Sequence, residues 1–287
     1  MINIGRVRWP GPVGIGAGII KGTAAFLDYS QKADSLEIGS ITKEVCHGNQ
    51  GQTIWRYPDL SALRHNAGLP NPGAKEIVSE LMTAQSQVKI PWGLSLAVTP
   101  GIREATAAAA EVGEAARRVI SGGLRPTWIT FNVSSPDTID ETGQLMAPAR
   151  IKLCLQAIKI SIGTTAIPIW LKIGPLKAME SLMAAVAAGK RHGAEVIIVS
   201  NAVPDQHGLA GGWCGEPVRA FTLGLIRQIR QVDQQIPIVA VGGILNGVQV
   251  KEVMQAGAQA VQVVTAVLLR GHRAARIIGV EYSRLVK

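Results

Sequence analysis

Residues 195–200, EVIIVS, and residues 237–241, PIVAV, are short runs in which nearly every side chain is apolar. A strand that is covered on both faces of a parallel sheet needs such a run, whereas a half-exposed strand alternates apolar and polar residues. Similar runs recur along the chain, which brings the number of predicted strands to eight. The predicted strands are Val13–Ala17, Leu36–Thr42, Trp92–Val98, Trp128–Val133, Pro168–Ile173, Glu195–Ser200, Pro237–Val241 and Ala260–Thr265.

Segments of helical length separate these strands, a pattern that is typical of successive βα units. The predicted helices are Thr23–Ala33, Ala74–Gln85, Arg103–Ile120, Ala149–Ser161, Leu176–His192, Val218–Asp233, Val248–Ala256 and a last helix after Leu268. Eight βα units in 287 residues predict an α/β chain that forms one domain, a (β/α)8 TIM barrel over residues 1–287. A doubly wound sheet is the alternative, but residues 16–21, GAGIIK, place a lysine where its dinucleotide fingerprint needs the third glycine.

Polar residues gather where the predicted strands end. Lys21 follows the first strand, Asn132 and Lys172 lie near the ends of the fourth and fifth, and Asn201 follows the sixth. Because the active site of a (β/α)8 barrel lies at the carboxyl ends of its strands, we expect these side chains to converge. Residues 43–71 are predicted as a long irregular loop that serves this site.

Composition excludes several classes of protein. The net charge of +9 favours anionic ligands, but aromatic residues make up only 4% of the chain, too few for the stacking surface of a nucleic-acid module, so no nucleic-acid partner is expected. The three cysteines form no C-x-x-C pair, so we expect neither a disulfide framework nor a metal site. No apolar run has the length of a membrane span, and a cytoplasmic location is expected.

The motifs at the strand ends, in this order, resemble those of the dihydroorotate dehydrogenases, and the resemblance covers nearly the whole chain. It rests on GAGIIKG (16–22), IGSIT (38–42), GLPN (68–71), FNVSSPDT (131–138), LKIGP (171–175), SNA (200–202), GGWCGEP (211–217), VAVGGI (239–244) and GAQAVQVVTAVLLRG (257–271). The resemblance implies an FMN-dependent barrel that oxidises dihydroorotate to orotate in pyrimidine biosynthesis.

The family pattern, carried over residue by residue, implies an FMN site at the barrel mouth. Glycine-rich loops with bare amide groups would hold the phosphate at Gly215, Gly242, Gly243 and Thr265. Lys172 would lie beside the ring system of the flavin and stabilise the charge of its reduced form. The implied FMN-binding residues are Ala17, Gly18, Lys21, Ser40, Ser95, Asn132, Lys172, Ser200, Gly215, Gly242, Gly243, Val264 and Thr265, with a serine at Ser95 in place of the usual asparagine.

The same pattern implies the substrate site. Ser135 takes the position of the catalytic base, which acts together with Lys172. The implied substrate-binding residues are Lys21, His65, Asn132, Asp137 and Asn201. Two of them depart from the family, because His65 and Asp137 replace asparagines, and an ionised aspartate can only accept hydrogen bonds. A paralogous FMN oxidoreductase with a different ring substrate is therefore the alternative function, and a degenerate barrel that binds FMN without chemistry is a third.

The electron acceptor stays open at this level. Members of the family use fumarate, quinone or an iron–sulfur flavoprotein partner, and the chain has too few cysteines for a cluster of its own. Members that reduce quinone at membranes carry an extra helical segment at the amino terminus. Because the first predicted strand begins within about a dozen residues of Met1, no stable membrane attachment is expected. A homodimer and an electron-transfer partner both remain open.

Overall fold

A computed structural model describes residues 1–134, 146–175, 178–205 and 208–286 of the chain. Strands and helices alternate along most of it, as a series of βα units requires. The strands are β1 (Ile2–Ile4), β2 (Val7–Trp9), β3 (Val13–Ile20), β4 (Leu36–Ile41), β5 (Ile54–Tyr57), β6 (Ala62–His65), β7 (Trp92–Leu96), β8 (Trp128–Asn132), β9 (Ile169–Ile173), β10 (Ala194–Val199), β11 (Val203–Pro204), β12 (Gly212–Gly215), β13 (Ile238–Val241) and β14 (Ala260–Val263).

Eight of these strands are parallel and close into a barrel in the order β3-β4-β7-β8-β9-β10-β13-β14, with β14 pairing back to β3. The predicted (β/α)8 barrel is therefore confirmed. Every residue of β4, β7, β8 and β9 is buried, as the continuous apolar runs in the sequence indicated. Charged residues inside these strands, such as Glu37 and Lys172, are consequently enclosed by the fold.

The helices that cover the barrel lie close to their predicted positions. They are α1 (Thr23–Tyr29), α2 (Gly73–Leu81), α3 (Ala105–Ser121), α4 (Pro148–Ile162), α5 (Met179–Arg191), α6 (Arg219–Val232), α7 (Gly247–Gln255), α8 (Thr265–Arg270) and α9 (Ala274–Leu285). Several begin where the sequence supplies a start signal. Glu104 accepts hydrogen bonds from the amides of Thr106 and Ala107 at the start of α3, and Pro148 opens α4. Within the described ranges, no helix combines the length and apolarity that a membrane span needs.

The amino-terminal end of the barrel is closed by side chains. The antiparallel hairpin of β1 and β2 brings Trp9 against Trp128 and Trp170, whose rings stack with centroids 4.4 Å apart. The centroid of Trp9 lies 5.6 Å from that of Trp128 and 6.1 Å from that of Trp170, and all three residues are fully buried. Because this end is filled, a ligand can enter the barrel only at the carboxyl ends of the strands.

Residues 43–71, predicted to be irregular, contain a β-hairpin instead. β5 and β6 pair around a 3-10 turn at Pro58–Leu60, and β6 also pairs with β12, so β11, β12, β6 and β5 form a separate antiparallel sheet. We call this the outer sheet. The prediction was wrong because β5 and β6 have only four residues each, and the pairing of β6 with β12 joins segments about 150 residues apart.

Candidate active site

A cavity opens at the carboxyl ends of the barrel strands, between the barrel and the outer sheet. The open space inside it, which includes solvent at its mouth, is about 1160 Å³. Barrel strands supply its floor and the outer sheet supplies one wall. It is lined by Ala17, Gly18, Lys21, Ser40, Ile54, Leu63, His65, Ala67, Leu69, Pro70, Asn132, Lys172, Asn201, Ala202, Cys214, Val218, Val241, Gly242, Gly243, Ile244, Gln262, Val263, Val264, Thr265 and Leu268.

Lys172 is the penultimate residue of β9 and reaches this cavity from the floor. It is only 4% exposed, and in the described part of the chain its ammonium group has neither a hydrogen-bond partner nor an ion-pair partner. Burial lowers the pKa of Lys172, and the negative charge of Glu37 opposes that shift. A buried ammonium group that faces a cavity is placed to compensate negative charge on a ligand.

A hydrogen-bond network joins two asparagines to the serines between them. Asn132 Nδ2 donates to Ser40 Oγ over 2.8 Å, and its Oδ1 accepts from the amide and the hydroxyl of Ser134 at 3.1 and 2.6 Å. Asn201 Nδ2 donates to both oxygens of Ser134 at 2.8 Å, and its Oδ1 accepts from the amide of Ala202 at 2.9 Å. Within the described chain, Asn132 keeps one free N–H group and Asn201 keeps one free lone pair.

Glycines form the side of the cavity near β13. Gly242 and Gly243 have φ angles of 107° and 73°, in the region that favours glycine. A Cβ atom on Gly243 would lie 2.5 Å from the backbone of Arg219, and one on Gly242 would lie 2.9 Å from the side chain of Val218. Only glycine fits at these positions, so bare amide groups line the cavity next to Thr265 at the start of α8. Such a lining suits a phosphate group.

The outer sheet contributes the residues that face the barrel mouth. Leu63 and His65 line the cavity from β6, and Cys214 lines it from β12. Lys21, at the end of β3, donates a hydrogen bond to the carbonyl of Pro70 and so ties the barrel rim to the chain that follows β6. These contacts place apolar, thiol and imidazole groups opposite the polar floor.

Most of the predicted site residues meet in this cavity. Those that line it are Ala17, Gly18, Lys21, Ser40, His65, Asn132, Lys172, Asn201, Gly242, Gly243, Val264 and Thr265. Ser95, on the barrel strand β7, lies behind the lining and shares a hydrogen bond of 2.8 Å with Ser40 Oγ, while Ser200 Oγ and Thr222 Oγ1 share one of 2.9 Å. Gly215 also lies behind the lining, next to the methyl group of Thr265. Ser135 and Asp137 are outside the described residues, so their predicted roles stay predictions.

The sequence reasoning missed two polar groups at the floor. Gln262, on β14, lines the cavity, and Glu37, on β4, is fully buried beneath it. Both are polar residues inside otherwise apolar strands, LEIGSI and AVQV, which is the signal that singled out Lys172. The same signal could have found them. The apolar wall from β5 and β6 carried no such signal, because it depends on the unpredicted hairpin.

Comparison with known proteins gives consistent matches over the whole chain. A sequence model of the family described as dihydroorotate dehydrogenase matches residues 1–285. The chain is 27% identical to a dihydroorotate dehydrogenase (quinone) of Cellvibrio japonicus, over 94% of this chain and 82% of that protein. It is 28% identical to one of Bordetella avium, over 91% of this chain and 78% of that protein. A dihydroorotate dehydrogenase structure from Eimeria tenella, in complex with ferulenol, shares the fold with a TM-score of 0.89 and 21% identity, covering 99% of this chain and 84% of that one.

Proposed function

The chain belongs to the dihydroorotate dehydrogenase family of oxidoreductases, and we propose that it oxidises dihydroorotate to orotate with bound FMN. The observation that carries the proposal is that Ser134 joins Asn132 and Asn201 in the cavity that Lys172 also lines. Among the described residues, Asn132 has one N–H group without an acceptor and Asn201 Oδ1 has one lone pair without a donor. A dihydropyrimidine ring carries carbonyl and N–H groups on adjacent atoms, which is the complementary pattern.

The residues present fit a flavin nucleotide. Lys172 is a buried cation that faces the cavity without a partner in the described chain, and a group that accumulates negative charge would supply one. Gly242 and Gly243 line the cavity where a Cβ atom would collide with its neighbours, so their amides can approach a phosphate closely. FMN, when bound, supplies the acceptor for the hydride that leaves C6 of the substrate.

The chain's own residues would divide the remaining work. Asn132 and Asn201 hold the ring in one orientation, and their attachment to Ser134 and Ser40 fixes their amide groups before the substrate binds. Ser135 takes the proton that leaves C5. A serine is a poor base at neutral pH, so it must pass that proton through a hydrogen-bonded network. Lys172 would supply the positive charge that stabilises a reduced flavin.

The two departures from the family pattern define the alternative. Orotate carries a carboxylate, which an ionised Asp137 would repel and a protonated His65 would attract. His65 lines the cavity from β6. A paralogue with the same flavin site and a ring substrate that offers a donor or a cation would instead use Asp137 as a ligand. The turnover of dihydroorotate, compared with a panel of related ring compounds, separates the two functions.

The electron acceptor is tested in the same preparation. The relatives from Cellvibrio japonicus and Bordetella avium carry quinone in their names, so a short-chain quinone is the first acceptor to try. Fumarate is the second. Reoxidation of the reduced protein by one and not by the other assigns the acceptor.

The decisive experiment is spectroscopic. We expect the purified protein to carry about one FMN per chain, and anaerobic dihydroorotate to bleach its visible bands. Lys172→Ala should lose FMN or keep an oxidised spectrum under the same treatment, because the cation that stabilises the reduced ring is gone. Full FMN content and an unchanged reduction rate in that variant would remove Lys172 from the mechanism. Wild-type protein that holds FMN but does not respond to dihydroorotate would contradict the substrate.

A further inference from the structure

Glu37 is a carboxylate inside the barrel, and the activity described above gives it no role. It lies on β4 and is fully buried. Three groups donate to its Oε2, namely Trp128 Nε1 at 3.1 Å, Thr130 Oγ1 at 3.0 Å and Gln262 Nε2 at 3.0 Å. Indole and amide N–H groups can only donate, so the oxygen that they share is an acceptor.

A buried carboxylate needs more than neutral donors. The other oxygen, Oε1, has no hydrogen-bond partner in the described chain. An ionised group at such depth is strongly destabilising unless an opposite charge compensates it. The cation that acts on it is Lys172. Among the charges that favour the protonated form of Lys172, Glu37 has the largest effect.

Lys172 and Glu37 are therefore complementary in position. Lys172 lines the floor of the cavity, and Glu37 lies beneath the floor among the donors of β8 and β14. They form no ion pair at 4.0 Å or less in the described chain, so the lysine is not locked to the carboxylate and remains available to a ligand. Charges at longer separation still interact strongly in an interior of low dielectric constant.

We propose that Glu37 is a positioning residue that keeps Lys172 protonated beneath the flavin and so sets the pH range over which the flavin can be reduced. This inference rests on the proposed FMN site. Burial alone would release the lysine's proton at a lower pH, and a neutral amine would no longer stabilise the reduced ring. The titratable groups of the described chain that face Lys172 are Glu37 from β4 and Cys214 from β12, with Lys21 and His65 across the cavity.

The test is the midpoint potential of the bound FMN, measured against pH on the whole protein with dithionite and mediator dyes. The potential falls more steeply with pH once Lys172 has lost its proton in the oxidised protein and must regain it on reduction. The pH at which the slope changes is the break. We expect Glu37→Gln, which keeps the shape and an acceptor for the three donors, to move that break to lower pH by about one unit or more. A residue with a merely structural role would not move it.

A matched control removes another buried carboxylate. Glu111 on α3 is 6% exposed and accepts hydrogen bonds from Thr99 and the amide of Lys43, away from Lys172. Glu111→Gln should leave the break where it is. If Glu37→Gln does not fold, Glu37→Met combined with Thr130→Val decides the question. This variant removes the charge together with one of the donors that would lose its acceptor, so a shift in the same direction supports the proposal and an unmoved break overturns it.

The outcomes separate this inference from the proposed reaction, because the reductant is dithionite and not dihydroorotate. A break that moves in Glu37→Gln but not in Glu111→Gln supports the role of Glu37, even if dihydroorotate proves inactive. A break that stays in place, or that moves equally in both variants, overturns it while leaving the reaction intact. Wild-type protein that binds no flavin would overturn both.

Discussion

The barrel and the outer sheet are built on opposite principles. Barrel strands such as β9, IWLKI, are buried at every position, and each strand pairs with parallel neighbours on both sides. β5 of the outer sheet, IWRY, alternates between exposed and half-buried residues. The barrel is held by a continuous core, whereas the outer sheet is held by surface stacking and a few specific bonds. A rigid floor with a less stable wall over it is an arrangement that allows a ligand to enter.

A substitution in the aromatic cluster at the closed end of the barrel should lower the free energy of unfolding the most. Trp170→Ala removes a fully buried ring from the stack with Trp128 and Trp9, and we expect the free energy of unfolding to fall by about 3–5 kcal/mol. Urea denaturation measures it. The matched variant in the outer sheet is Trp213→Ala. It loses a tilted ring contact with Tyr57, with centroids 4.9 Å apart, and the hydrogen bond that Trp213 Nε1 donates to Asp205, and it should cost about 1–2 kcal/mol. Equal losses would contradict the distinction between the two regions.

The two serines that follow β8 in the sequence should affect chemistry without affecting stability. Ser135→Ala should slow the reduction of the flavin by dihydroorotate about a hundredfold, the usual effect of deleting an acid–base group, and leave the FMN content unchanged. Rapid mixing under anaerobic conditions measures the rate. Ser134→Ala removes a hydroxyl that joins Asn132 to Asn201, so it should slow reduction about tenfold or less. An unaltered rate in Ser135→Ala would place the base elsewhere, with Cys46 and His47 the next residues to test.

His65 and Asp137 should have opposite effects on the binding of the substrate's carboxylate. Asp137→Asn should tighten orotate about three- to tenfold, because it removes a repulsive charge and adds a donor. His65→Ala should weaken orotate binding, and more at low pH, where an imidazolium group would pair with the carboxylate. Orotate titrations followed by flavin absorbance measure both. If Asp137→Asn abolishes activity on a substrate that carries a donor, the paralogue function is correct.

The reactivity of the three cysteine thiols should distinguish the buried core from the cavity and its surroundings, with no substitution needed. Burial raises the pKa of Cys154, on α4 in the core, to about 12, so almost no thiolate exists there at mildly alkaline pH. The thiolate is the reactive form, and iodoacetamide should therefore leave Cys154 unmodified in the folded protein. Cys46 and Cys214 are half-buried and should react. Peptide mapping by mass spectrometry measures the labelling, and modification of Cys154 at the rate of the other two would show that the core opens.

Much of the fold and of the floor of the site followed from the sequence. Continuous apolar runs predicted the eight barrel strands, and a lysine in such a run predicted the buried cation at Lys172, since few other causes place an ammonium group there. The family resemblance is confirmed by the family match over residues 1–285. Glu37 and Gln262 carried the same signal, but its meaning depends on which strands face each other across the barrel, and that is a property of the closed sheet.

What the sequence determined by itself is the period of burial along each strand, because it reflects the immediate surroundings of each residue. The tertiary structure alone decided which distant segments meet. β6 pairs with β12. The guanidinium carbon of Arg64 lies 3.8 Å from the ring centroid of Trp55, and Nη1 of the same side chain donates a hydrogen bond of 2.9 Å to the carbonyl of Ala210. Short strands with half-exposed faces gain their stability from such partners and not from their own pattern, so the wall of the site existed only once the chain had folded.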